Sequence, residues 1–208
     1  MSVGALGVLG GTFDPIHVGH LILGEHVAES LGLEKVLFVP AGTPGHKRPD
    51  AVTSPEHRCR MTALAIADNP RFELSTVDLA RQGVTYTVDT LGDLRRLYPN
   101  QELFFIIGSD NLLDLPNWRE PERVLALCYL AVVFRPGFPI HEVQDKLGAL
   151  YIRERIRFVP SVAIEISSTS IRQRIKEGRS VRYLIPEPVA AYIKEHRLYG
   201  YRPSTGAS

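Results

Sequence analysis

Short apolar runs and longer amphipathic ones alternate along this chain. Ala5–Leu9, Lys35–Val39, Phe72–Val77, Leu103–Ile107 and Tyr129–Phe134 are brief and rich in β-branched or aromatic residues, which marks them as strands. Arg157–Val159 and Ala163–Ile166 extend that set. The intervening segments Val18–Leu31, Pro55–Asp68, Val88–Tyr98 and Pro121–Leu127 have helical length, and Thr53 or Ser54 ahead of Pro55 gives the second a start with proline at its first position. Such alternation predicts an α/β fold, a Rossmann-like doubly wound parallel sheet with helices on both faces. The last stretch changes character. Ser168-Thr169-Ser170 opens a helix through Ile171 and Ile175 that Gly178 can stop, and a second helix follows Pro186 with Val189, Ala190 and Ile193 on one face. The expectation is one domain over 1–200 with a helical C-terminal subdomain at about 167–200. Tyr201–Ser208, poor in apolar residues, reads as a frayed tail.

Composition narrows the classes without choosing among them. The 208 residues are 44% apolar and 23% charged, as in ordinary globular proteins, and the net charge of +1 argues against a nucleic-acid coat protein. A local basic cluster that grips a small polyanion stays compatible with that balance. The two cysteines, Cys59 and Cys128, make no disulfide framework, and no secretion signal or membrane-length apolar run is seen; the expectation is a cytoplasmic protein with neither nucleic-acid nor membrane partners.

The strongest local chemistry is Gly10-Gly11-Thr12-Phe13-Asp14-Pro15-Ile16-His17-Val18-Gly19-His20, between the first strand and the first helix. Glycines allow close backbone approach, and a helix start offers N–H groups and the positive dipole end to phosphate. His17 and His20, three apart, share a helical face and can donate to phosphoryl oxygens. Alone, a Gly-Gly turn is common in α/β proteins. Two histidines also fall short of a zinc site, because His26, His46, His57, His141 and His196 offer no evident completion. The glycine-rich turn lacks the Lys-Ser/Thr ending of a P-loop. Ser-Ser-Thr-Ser before a helix would, by itself, read as an N-cap.

The two segments together resemble the GxFxPxHxGH and ISSTxIR signatures of the nucleotidyltransferase superfamily, the second carried by Ile166-Ser167-Ser168-Thr169-Ser170-Ile171-Arg172. Over about residues 5–200 the chain resembles the bacterial nicotinate-nucleotide adenylyltransferase family, through Pro40–Lys47, the TYTxDTL segment Thr85–Leu91, Ile107-Gly108-Ser109-Asp110 with Leu115–Trp118, and the closing run Leu184–Tyr199. Gly45 departs from it, where many relatives carry a second proline before His-Lys.

That resemblance implies AMP transfer from ATP to nicotinate mononucleotide, giving nicotinate adenine dinucleotide and pyrophosphate, with Mg2+ accompanying ATP. It implies catalytic roles for His17, His20, Lys47 and Arg172. It implies ATP contacts from Gly10, Gly11, Thr12, Phe13, Gly108, Asp110, Ser168, Thr169 and Ser170. The acceptor nucleotide would meet His46, Lys47, Thr85, Tyr86, Trp118 and Arg135. Each has a plainer reading beside this one. Lys47 and His46 can be solvated loop charges, Asp110 a helix cap, Trp118 partly buried core, and Thr85 and Tyr86 ordinary turn packing. Alternatives are the same machinery acting on nicotinamide mononucleotide or phosphopantetheine, and a regulator that binds nucleotide without turnover. Oligomeric state is left open, a homo-oligomer included.

Overall fold

The computed structural model of the chain describes residues 4–44, 52–81, 83–134, 138–160 and 165–202. Its centre is a six-stranded sheet. The strands are β1 (Ala5–Gly11), β2 (Lys35–Pro40), β4 (Phe72–Leu74), β6 (Glu102–Gly108), β7 (Tyr129–Phe134) and β8 (Ile156–Pro160). They lie in the order β4-β2-β1-β6-β7-β8, and every pairing is parallel. The chain works outward from β1 in one direction, then returns to β6 and works outward in the other. The carboxyl ends of β1 and β6 therefore flank the topological switch point, where open α/β sheets form ligand crevices.

Helices cover both faces, as the alternation predicts. One face holds α1 (Val18–Leu31), α2 (Pro55–Ile66), α7 (Ser168–Lys176) and α8 (Glu187–Glu195), whose Val27, Met61, Ile171 and Val189 pack with Val36, Phe38, Ile106 and Val133 of the sheet. The other holds α3 (Thr87–Leu97), α4 (Ser109–Leu113), α5 (Pro121–Leu127) and α6 (Ile140–Leu147), whose Leu91, Leu112, Val124 and Val143 meet Leu37, Val39, Phe105 and Val132. Successive strand residues alternate between the two cores. Burial on both sides is why these strands read as unbroken apolar runs.

Several boundaries shift for identifiable reasons. The strand expected over Phe72–Val77 ends at Leu74, because after Ser75 donates to the Phe38 carbonyl (2.9 Å) the chain turns and carries Asp78 inward. Ile166 lies outside any strand, and 161–164 lie outside the described residues. A short second sheet pairs β3 (Thr43–Pro44) with β5 (Val84–Thr85), and α6 has no counterpart in the sequence reading. Gly178 has φ 68°, the left-handed conformation expected of a helix stop. Tyr201, taken as the first tail residue, is half-buried against the core, while 203–208 lie outside the described residues. Both cysteines are free thiols. Among the described residues no helix is long and apolar enough to cross a membrane.

Candidate active site

Gly10 and Gly11 end β1 at the switch point. A Cβ on Gly11 would lie 2.7 Å from the Phe13 ring, so this glycine is required by close packing below the turn as much as by access from above. Phe13 itself is 2% exposed, at φ 49°, and its ring is perpendicular to that of His20 at 5.0 Å. Its side chain thus braces His20, and only its backbone is left to meet a ligand.

The two histidines come together differently from a pair on one helical face. His17 is the N-cap of α1, with extended dihedrals, and His20 sits in the first turn. Their rings stack at 3.7 Å, and the His17 backbone N–H donates to His20 Nδ1 at 3.2 Å. That bond fixes the tautomer: a ring that accepts at Nδ1 carries its proton on Nε2 and presents it as a donor. His17 Nδ1 occupies a capping-box position toward the His20 N–H, yet no partner meets hydrogen-bond geometry there. Burial pushes the pKa of His17 down to about 4; burial and then the neighbouring His17 push that of His20 to about 3. Both imidazoles are neutral at pH 7. The expectation of open N–H groups at this helix start is corrected for two of them, because Val18 N–H donates to the Leu184 carbonyl (3.0 Å) and His20 N–H to the His17 carbonyl (2.9 Å). Here side chains, more than backbone, are offered to an anion.

The distant α7 start docks onto this turn. Arg172 donates to the Asp14 carbonyl at 2.7 Å, and the Ser168 hydroxyl to the Pro15 carbonyl at 2.8 Å. Ser167 is the N-cap: its hydroxyl accepts from the Ser170 N–H at 3.1 Å, while the Ser170 hydroxyl donates to the Ser167 carbonyl. Arg172 also donates to the Thr169 hydroxyl oxygen at 3.3 Å. The N–H groups of Ser168 and Thr169 lie ahead of the first intrahelical bond, Ile171 to Ser167.

A frame that the sequence reading missed holds these parts in place. The Arg58 guanidinium, 1% exposed, donates to the carbonyls of Thr12 (2.8 Å), Gly42 (2.7 Å) and Thr53 (2.9 Å), joining three separate loops. Burial works against its charge and nearby Asp14 favours it. Asp14, 2% exposed, accepts from the Tyr199 hydroxyl (2.8 Å) and the Thr53 N–H (3.4 Å). Asp14 lay within the quoted motif. Arg58 had only one warning signal, an arginine at a core-facing position of α2.

Beside the turn opens a cleft of about 640 Å3 that Gly10, Gly11 and Thr12 share with Thr85, Tyr86, Thr90 and Trp118. Trp118 is half-buried and edge-on to Phe105 at 6.1 Å. Thr85 donates to the Thr43 carbonyl (3.1 Å), and Tyr86, the N-cap of α3, lies under the Arg119 guanidinium at 4.7 Å. Gly108 and Asp110 stand exposed at the end of β6 and in the first turn of α4, and the cleft is lined by Asn111 and Asp114 in place of Asp110. His46, Lys47 and Arg135, and the departure at Gly45, lie outside the described residues.

Neither histidine and no α7 residue lines that cleft; it is Gly10, Gly11 and Thr12 that join it to the turn carrying the stacked imidazoles. The cytidylyltransferase-like family pattern, a nucleotidyltransferase class, matches residues 8–174. Curated relatives named "Probable nicotinate-nucleotide adenylyltransferase" include one from Thermus thermophilus, 48% identical over 194 residues that cover 93% of this chain and 98% of that protein. Another, from Thermomicrobium roseum, is 46% identical over 194 residues, 93% of this chain and 91% of that one. The chain belongs to this family, the nicotinate-nucleotide adenylyltransferases. Its fold is also that of Plasmodium falciparum nicotinic acid mononucleotide adenylyltransferase complexed with NaAD, at a TM-score of 0.76 and 21% identity over 96% of this chain and 98% of the other, a likeness of fold alone.

Proposed function

We propose that the protein transfers AMP from ATP to nicotinate mononucleotide, forming nicotinate adenine dinucleotide and releasing pyrophosphate, a step of NAD biosynthesis in the cytoplasm. The observation that carries this reading is the docking of the α7 start onto the turn before α1, where Ser168 bonds Pro15 across 153 residues of sequence, beside the stacked imidazoles and next to a cleft walled by Trp118 and Tyr86.

The acceptor phosphate is already ionised near neutral pH, so no general base and no covalent enzyme intermediate are needed. The protein's task is alignment and stabilisation of developing charge. The Nε2–H of His20, with its tautomer set by the His17 backbone, donates to an α-phosphate oxygen, and His17 joins it at the bridging oxygen. Across the turn, the Ser168 and Thr169 N–H groups and Arg172 take the β- and γ-phosphates, with Thr12 and Lys47 completing the grip. Gly108 and Asp110 meet the adenosine portion. In the cleft Trp118 stacks on the pyridine ring, N–H groups at Thr85 and Tyr86 meet its carboxylate, and His46 and Arg135 approach the acceptor phosphate. Magnesium fits as an ion carried on the triphosphate, since the described residues hold no group of three His, Cys, Asp or Glu able to cage a metal. When bound it neutralises phosphate charge.

The test is pyrophosphate release from ATP and Mg2+ with nicotinate mononucleotide, nicotinamide mononucleotide and phosphopantetheine supplied separately at equal concentration. Preferred turnover of the nicotinate compound is expected. Preference for either other acceptor, or no release with any, overturns the assignment.

A further inference from the structure

Beyond β4 the chain carries a carboxylate into the cleft wall, on the same side as Thr85 and Tyr86. Asp78 has a side chain 7% exposed and lines the cleft. Its Oδ1 accepts from the Thr90 hydroxyl at 2.7 Å, and Thr90 stands one turn into α3, above Tyr86. The position is enforced from the opposite side, because a Cβ on Gly42 would lie 2.5 Å from the Asp78 carbonyl oxygen. A buried negative group in the wall of a pocket for an anionic ring is a conflict, since like charges held in a poorly hydrated site repel. Arg81 resolves it. Its guanidinium reaches Asp78 at 3.4 Å and ion-pairs through its other nitrogen with Asp93, which Arg96 also holds. Burial also drives the Asp78 carboxyl pKa upward, with Arg81 acting in the opposite direction.

We propose that Arg81 is a specificity-determining residue: by neutralising Asp78 in the cleft wall, it lets the pocket take a pyridine nucleotide with a ring carboxylate in preference to the carboxamide. The inference rests on the nicotinate reading above and adds what makes the pocket tolerate the acid. An unpaired Asp78 repels the substrate carboxylate, while it can accept hydrogen bonds from a carboxamide NH2. Discrimination then arises by removing a repulsive element that would otherwise select the wrong partner. Arg81 need not touch the substrate; it acts through Asp78.

The experiment compares kcat/KM for nicotinate and nicotinamide mononucleotides in the full chain. In Arg81→Gln the acid-to-amide ratio should fall by about tenfold or more, mainly through KM for the acid. The double variant Arg81→Gln with Asp78→Asn should bring the ratio back to within about threefold of the original, and Arg81→Lys should hold it there. A brace that merely supports α3 would lower both substrates together and would not be rescued by Asp78→Asn; either result overturns the proposal. If Arg81→Gln does not fold, Asp78→Asn alone decides: a ratio at or above that of the original protein supports the proposal, and a lowered one overturns it. An original protein without activity on nicotinate mononucleotide would refute the functional reading itself. An unchanged ratio in Arg81→Gln, with the acid still preferred by the original protein, refutes only this inference.

Discussion

The two helix starts that meet at the switch point offer opposite kinds of group. At α1 the Val18 and His20 N–H groups are already bonded to the Leu184 and His17 carbonyls, so the imidazoles carry most of what is offered. At α7 the serine hydroxyls are closed, since those of Ser168 and Ser170 donate to Pro15 and Ser167 carbonyls, and what remains is the leading N–H groups beside the Arg172 guanidinium. The difference teaches how each donor set is held. Imidazoles are aimed by ring packing on Phe13 and by one backbone bond to Nδ1. The α7 amides are aimed by cross-chain bonds that dock their helix onto the first turn. Loss of an imidazole should therefore be severe at α1 and loss of a serine hydroxyl mild at α7.

The largest expected effect strikes the frame beneath the first turn. Arg58→Met leaves the Thr12, Gly42 and Thr53 carbonyls without their charged donor, which should cost about 3–5 kcal/mol of stability, read from the shift in the urea midpoint at constant slope. A loss below 1 kcal/mol would mean that the three loops are held by other contacts. Next comes His20→Ala. It should lower kcat by roughly 10²–10³-fold with little change in the KM for ATP, as loss of a preorganised transition-state donor does. Near-normal turnover would remove His20 from the site. On the α7 side, Ser168→Ala removes only the bond to Pro15, so a stability loss of about 1 kcal/mol is expected, with kcat reduced less than about tenfold. If Ser168→Ala proved as damaging to kcat as His20→Ala, the contrast between the two starts would be lost.

What could be read in the sequence followed the same division. Strands buried on both faces announce themselves by composition, and the Gly10–His20 and Ser168–Arg172 segments carry recognisable residue types in order. Three things were hidden because they depend on partners distant in the chain. Nothing near Arg58 says that its guanidinium bridges loops 46 and 16 residues away, at Thr12 and Gly42. Nothing around Leu184 says that its carbonyl fills the N–H of Val18. Asp78 looks like a surface turn residue until Gly42 and Thr90 are seen against it. The helix α6 is a different case, since Ile140, Val143 and Leu147 do have helical spacing; the Pro-Gly-Phe-Pro run just before them obscured its start.

The smallest expected effect is a flat line, and it discriminates sharply between a cationic and a neutral pair at α1. If the imidazoles were exposed, both would titrate near 6.5 and gain charge as the pH fell from 7 to 6. Held by burial at about 4 for His17 and about 3 for His20, they stay neutral through that range, with His20 presenting its Nε2–H as a donor. Ring-nitrogen NMR of the free protein should thus show no titration of either ring between pH 6 and 8. The same shifts fix the sign for stability. The unfolded chain takes up protons on these histidines below about 6.5 while the folded one does not, so their contribution is fully present above that pH and is lost as the pH falls toward 4 and then 3. The double variant His17→Asn with His20→Asn should consequently lose less stability between pH 6.5 and 4.5 than the original protein does. A bound triphosphate would favour the protonated rings, so the comparison belongs to the free protein. A midpoint near 6.5 for either ring would mean that water reaches the pair, and that phosphate is met by imidazolium charge instead of a dry, oriented N–H.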